Sequence, residues 1–191
     1  MRFKRGGNQV VEEVPLTGSF LVAHPSLLDA SFKRSVVLLT AHSPDEGAVG
    51  VVVNRPSGQT LGEWRPEFKD SGIAQTPLYY GGPVESEQLI LAAWKWCLEE
   101  GSFKLYFGVD EAKALQLREQ DPGFKLYGFL GHAGWGEHQL ESELEESSWV
   151  VSPLLPEFEL KPEEVLWRQL LLQGPPEMRL LIDEPEDPSL N

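Results

Sequence analysis

The chain has 191 residues, and its 30 acidic against 16 basic side chains leave a formal net charge of −14. A surface that negative repels phosphate backbones and anionic lipid heads, which argues against direct nucleic-acid binding and against a membrane-surface role. One cysteine, Cys97, rules out an internal disulfide and a cysteine-built metal site, while the length suffices to bury about 70% of the unfolded surface in one domain.

In chain order, residues 1–15 are polar or glycine-bearing and read as a flexible tail. Gly18 to His24 reads as a strand, with Phe20 and Val22 alternating against Ser19 and Leu21, and Pro25 ends it. Val36–Leu39 and Val49–Val53 are apolar runs suited to strands covered on both faces, and the turn formers His42 to Gly47 join them as an antiparallel hairpin. Thr60 to Asp70 holds a short helix around Leu61 and Trp64, broken near Pro66. Leu78–Tyr80 and Leu89–Ala92 read as strands flanking a Gly81-Gly82-Pro83 turn, and Phe103 to Phe107 as a further strand. Asp110 caps a helix running to about Gln120, with Ala112 and Leu115 on its inner face and Asp121-Pro122 at its end.

Phe124 to Leu130 forms the next strand, and Gly131–Gly136 reads as a glycine-rich loop into a helix over Glu137–Glu146. Trp149–Val151 is a strand, and a last helix starts at Pro162 with Trp167, Leu170 and Leu171 as its apolar stripe, ending at Gly174-Pro175. Arg179–Ile182 suggests a short edge strand, and 183–191 an acidic disordered tail. Residues 16–182 therefore make one domain of mixed α/β class with a largely antiparallel sheet, because most strands connect by turns too short for a parallel crossover. There is no signal-peptide pattern and no apolar stretch near the ~20 residues a bilayer requires. A soluble cytoplasmic protein is the expectation.

Four blocks carry a family resemblance. They are Ala23-His24-Pro25 with Asp29 and Phe32–Val36; His42 with Gly47–Gly50 and Asn54-Arg55-Pro56; Gly81–Val84; and Gly134-Trp135-Gly136 with Gln139-Leu140-Glu141, Glu143 and Trp149. Together, in this order, they resemble the YqgE/AlgH family of bacterial proteins over nearly the whole chain. The resemblance implies a compact α/β fold, with a bifurcated, mostly antiparallel sheet folded as a pseudo-barrel and flanked by helices, in a cytosolic protein. It imports no active site. Part of that family carries a transcriptional-regulator label, which the acidic balance here makes an indirect role at most. The family often has Pro-Gly before Gln-Leu-Glu; here Glu137-His138 stands there instead, which weakens any ligand-admitting role for those glycines.

The chemistry-bearing constellations each have a plain structural account. Gly134 and Gly136 flank Trp135 before a helix start, where backbone amides could cradle an anion. The loop lacks both nucleotide-binding patterns, however, and Glu137 would compete with a phosphate. The favoured reading makes Gly136 the helix cap, with Gln139 reaching back to it and Trp135 in the core. Gln139 and Glu143 lie one turn apart, so Glu143 is either a buried general base or an acceptor of hydrogen bonds from a neighbouring loop. Glu141, Glu145 and Glu146 read as a solvated face suited to a basic partner.

Asp29, Arg34 and His42 could gather at one sheet end, but an Asp–Arg bridge with His42 closing the hairpin is the simpler account. Asn54 ends a strand in a turn, and Gly81 and Gly82 make a tight one. The four histidines show no standard ligand spacing, and no cofactor motif survives. The sequence thus favours a non-catalytic cytoplasmic regulatory or interaction protein that binds a protein partner or a small ligand. The alternatives are a hydrolase-like enzyme using His42 or Glu143 and a transcriptional regulator acting indirectly.

Overall fold

A computed structural model describes residues 16–154, 160, 163–174, 176, 179 and 182. The two expected tails and Pro162 lie outside them. The described chain runs β1 (Phe20–Ala23), β2 (Val36–Ser43), β3 (Gly47–Val52), β4 (Pro56–Thr60), α1 (Leu61–Trp64), β5 (Pro77–Tyr80), β6 (Val84–Cys97), β7 (Ser102–Val109), α2 (Glu111–Gln120), β8 (Lys125–Trp135), α3 (Gln139–Glu145), β9 (Trp149–Ser152) and α4 (Glu163–Gln173).

The apolar runs build the centre. β2 and β3 pair antiparallel from Val37↔Val52 to Ser43↔Gly47, with a register shift between Leu39 and Ala41. β1 pairs with β2, and β9 lies outside β1. The alternation expected along β1 does not hold: Phe20, Leu21, Val22 and Ala23 are all buried. One reason is α4, which packs on β1 and whose Trp167 Nε1 donates to the Ala23 carbonyl at 2.7 Å. A strand covered on both faces has no polar side to show.

β8 is the hub. Residues 128–130 run parallel to β5 on one side (Leu78↔Gly128) and antiparallel to β6 on the other (Leu91↔Gly128). Farther along, Ala133–Trp135 leave β5 and pair with β3. The sheet therefore forks at β8 and curls into a mixed half-barrel flanked by helices, which agrees with the expected α/β class and bifurcated sheet.

Two corrections follow from this hub. Gly131–Trp135 is strand and not loop, because β3 supplies a new ladder partner where β5 ends. Gly131, at φ 71°, makes the change of partner possible, and a methyl there would lie 2.8 Å from the Ser86 Cα and the Val84 carbonyl oxygen. Gly81-Gly82-Pro83 is also no hairpin turn, since β8 lies between β5 and β6. The segment crosses over β8 instead: Gly81 N donates to the Leu130 carbonyl, and its own carbonyl accepts from Val52 N, both at 2.8 Å. Gly82 sits so close above His132 that a Cβ would strike the His132 carbonyl.

Smaller corrections concern the helices. Asp110 caps α2 as expected, accepting from Lys113 N at 2.7 Å. Its inner residues are nevertheless Ala114 and Leu117; Ala112 is exposed and Leu115 half-buried, because the helix docks on Ala93 and Phe124 through Leu117. Pro176, Arg179 and Ile182 have helical backbone rather than the expected edge strand, and Ile182 is buried. Among the described residues no helix is long and apolar enough to cross a membrane.

Candidate functional site

The last turn of β8, helix α3 and the start of β9 converge on one carboxylate. Glu143 Oε2 accepts from Trp135 Nε1 at 2.9 Å and from Trp149 Nε1 at 2.7 Å, while Oε1 accepts from Gln139 Nε2 at 2.8 Å. The two indoles meet edge to face at 5.9 Å, and the Phe32 ring packs against both. Buried indoles need an acceptor, and this carboxylate serves two at once. Glu143 is thus an acceptor that locks three elements together, the second of the two readings open for it. Gln139 Oε1 takes Gly136 N at 3.0 Å, as expected, but the cap position itself is His138, held at φ 55°. The helix starts two residues later than a Gly136 cap would place it.

His42 lies on β2 facing α3. Its ring is nearly buried, and Nε2 meets Glu141 Oε1 at 2.7 Å. Glu141 is therefore no member of a solvated face; Glu145 and Glu146 remain exposed. Burial pushes the Glu141 carboxyl upward, but the hydrogen bond from His42, with backbone and charge attraction, outweighs it and holds the group below the usual value. Beside this pair lies an open cleft of about 300 Å³, lined by Ala41, His42, Ser43, Glu46, Val49 and Trp135 among others. Val49 is 36% exposed there.

The remaining candidates sit elsewhere. Asp29 Oδ1 accepts from Ser31 N at 2.9 Å, closing its own turn, and Arg34 pairs with Glu164 of α4 and stacks over Trp167. No Asp29–Arg34 bridge forms, and His42 is not with them. The turn is held instead from below. Asn54, fully buried, accepts from Val36 N and donates to the Arg34 carbonyl, both at 2.9 Å. Arg55 donates to the carbonyls of Ser31 at 2.7 Å and Lys33 at 3.1 Å. Gly81 and Gly82 belong to the crossover above β8. Gly134 and Gly136 differ from them, since a Cβ at either would meet only ordinary contacts at 3.8 Å or beyond. Among the described residues no group of three or more His, Cys, Asp and Glu side chains could hold a metal.

Only His42 and Trp135, of the eleven sequence candidates, line the cleft. Glu141, Arg55 and Trp149 are hydrogen-bonding partners at these positions that lay outside the candidate set. No local signal marks them, because His42 and Glu141 lie 99 residues apart.

Comparison with known proteins places this arrangement. The AlgH-like family model matches residues 20–178. The chain belongs to the AlgH-like family. A UPF0301 protein of Streptomyces coelicolor is 34% identical over 195 residues, covering 95% of this chain and 98% of the relative. A UPF0301 protein of Chlorobium luteolum is 32% identical over 182 residues, covering 91% and 94%. Among solved structures, protein DIP2367 of Corynebacterium diphtheriae superposes with a TM-score of 0.67 at 26% identity, covering 90% of this chain and 93% of that one. The AlgH protein of Pseudomonas aeruginosa gives 0.60 at 27% identity, covering 97% and 100%. The blocks that carry the family resemblance are, in this member, the places where strands far apart in sequence are tied: Asn54-Arg55 under the 31–35 turn, Gly81-Gly82 over β8, and Glu143 between Trp135 and Trp149.

Proposed function

We propose that this AlgH-like chain is a non-catalytic regulatory or interaction protein of the cytoplasm, which takes a small ligand or a partner's loop in the cleft beside His42. One observation supports the reading above others: His42 and Trp135 meet in an open cleft, whereas Glu143 has its carboxylate engaged by three donors. A general base must lie within reach of substrate, and Glu143 does not line the cleft. About 300 Å³ is the lower end of small-molecule sites, and the mixed lining of Ala41, Val49, Trp135, Ser43 and Glu46 suits a compact amphiphile. The lone cysteine fits a reducing compartment. The exposed acids Glu137, Glu145 and Glu146 suit a partner with a basic surface.

The test is a thermal-shift screen of metabolites against the native chain and Ala41→Trp. Ala41 is exposed on the cleft wall, so the indole fills the space without entering the core. A ligand that raises the native melting temperature should lose its effect in this variant. Hits that shift both proteins equally would contradict the assignment. A second reading, hydrolase-like, draws on the His42–Glu141 pair, because a carboxylate orients an imidazole as it does in base-assisted hydrolysis. Ester or phosphoester turnover that disappears in His42→Gln would establish it in place of the first.

A further inference from the structure

β7 terminates one arm of the sheet. It pairs with β6 from Cys97↔Ser102 to Leu91↔Val109 and has no second strand neighbour among the described residues. Its outer edge therefore presents the outward-pointing backbone donors and acceptors of alternate residues along an eight-residue strand, without a strand partner among the described residues. Proteins normally blunt such an edge with proline, charge or brevity. The other ends of the sheet are blunted: β9 has four residues and is followed by Pro153, and β4 begins at Pro56. Between Ser102 and Val109 there is no proline, and Lys104 is the one charge. Phe103, Leu105 and Phe107 are half-buried on the core side, while Lys104 and Tyr106 are exposed on the other.

We propose that β7 is the docking edge for a second copy of this chain, the two strands pairing antiparallel about a two-fold axis at Leu105. In such a joint sheet, facing residues lie on the same side, so the axis must fall on a residue. At Lys104 it would set two ammonium groups opposite each other. At Tyr106 the overlap would be as long, but Lys104 would face Gly108, which offers it no side chain and sits at φ 69°. At Leu105 every pairing is favourable: Phe103 faces Phe107 of the other protomer, Leu105 faces itself, and Lys104 faces Tyr106, twice by symmetry. The strand is self-complementary in this register. Each protomer carries a net charge of −14, so long-range repulsion opposes the union and added salt should strengthen it.

Sedimentation equilibrium of the full chain, from low to moderate salt, is the test, with Tyr106→Lys and Tyr106→Glu compared. Both variants lose the same ring, but the first sets lysine against Lys104 twice and the second sets glutamate against it twice. The dimer should weaken about tenfold in Tyr106→Lys and hold in Tyr106→Glu. As a check independent of both variants, native amides of Phe103–Phe107 should exchange more slowly as protein concentration rises. A native chain monomeric at every concentration and salt would overturn the proposal. So would a dimer that both variants leave unchanged or weaken equally.

Discussion

Replacing Glu143 by alanine removes the acceptor shared by two indoles that are each about 95% buried. Hydrogen bonds to a charged group contribute about 1.5–3 kcal/mol each, and a buried donor left without a partner costs about 1–3 kcal/mol. Glu143 itself is only partly buried, so the lower half of that range applies, and two orphaned N–H groups should cost about 3 kcal/mol. For a chain of this size that corresponds to a melting temperature lower by roughly 6–12 °C. Glu143→Gln keeps one oxygen for the indoles but turns an amide N–H toward Gln139, and should cost about half as much. Urea unfolding followed by far-ultraviolet circular dichroism avoids dependence on the tryptophans. A double-mutant cycle with Trp149→Phe should show coupling of about 1 kcal/mol or more, because the two residues share one bond. The locking role would be refuted by an alanine variant within ~0.5 kcal/mol of the native chain, the range of an uninvolved surface residue.

Asn54→Ala should destabilise by about 2–3 kcal/mol in the same assay, since it removes the buried bonds to Val36 N and to the Arg34 carbonyl; an unchanged midpoint would count against the tie. Burial holds the His24 imidazole below its ordinary value of 6.5, so the unfolded chain takes up that proton first as pH falls. The stabilisation from a neutral His24 is present above 6.5 and lost as pH drops toward the folded value; His24→Gln should flatten the stability profile in that window, and an unaltered profile would contradict this. Disrupting the His42–Glu141 pair by Glu141→Gln should remove the depressed carboxyl from the acid limb, making stability less dependent on pH below 4.5, as read by pH-dependent denaturation.

Much of the architecture was legible locally. The β2–β3 hairpin follows from two β-branched runs around His42–Gly47, and α2 from the Asp110 cap, because both signals act within a few residues. The Gln139–Glu143 contact followed from helix spacing alone. What escaped was non-local. Gly131–Gly136 read as a loop because glycine permits loop backbone, yet pairing of Ala133–Trp135 with β3, some eighty residues earlier in the chain, decides that the strand continues to Trp135. The Gly81-Gly82 segment read as a hairpin because the intervening strand β8 is contributed from fifty residues farther on. The true inner face of α2 was set by what it docks against. At the site, Glu141 looked solvated until the fold brought His42 beneath it.

The crowded glycines Gly81, Gly82 and Gly131 serve close backbone crossings, whereas Gly134 and Gly136 do not. Gly131 and Gly134 stand three residues apart on one strand and separate the cases: the first is crowded at positive φ, the second open at ordinary φ. Chemical denaturation of Gly131→Ala beside Gly134→Ala is the direct measurement. We expect the first to lose several kcal/mol or fail to fold, and the second to stay within about 1 kcal/mol of the native chain. Equal tolerance at both positions would contradict the claim.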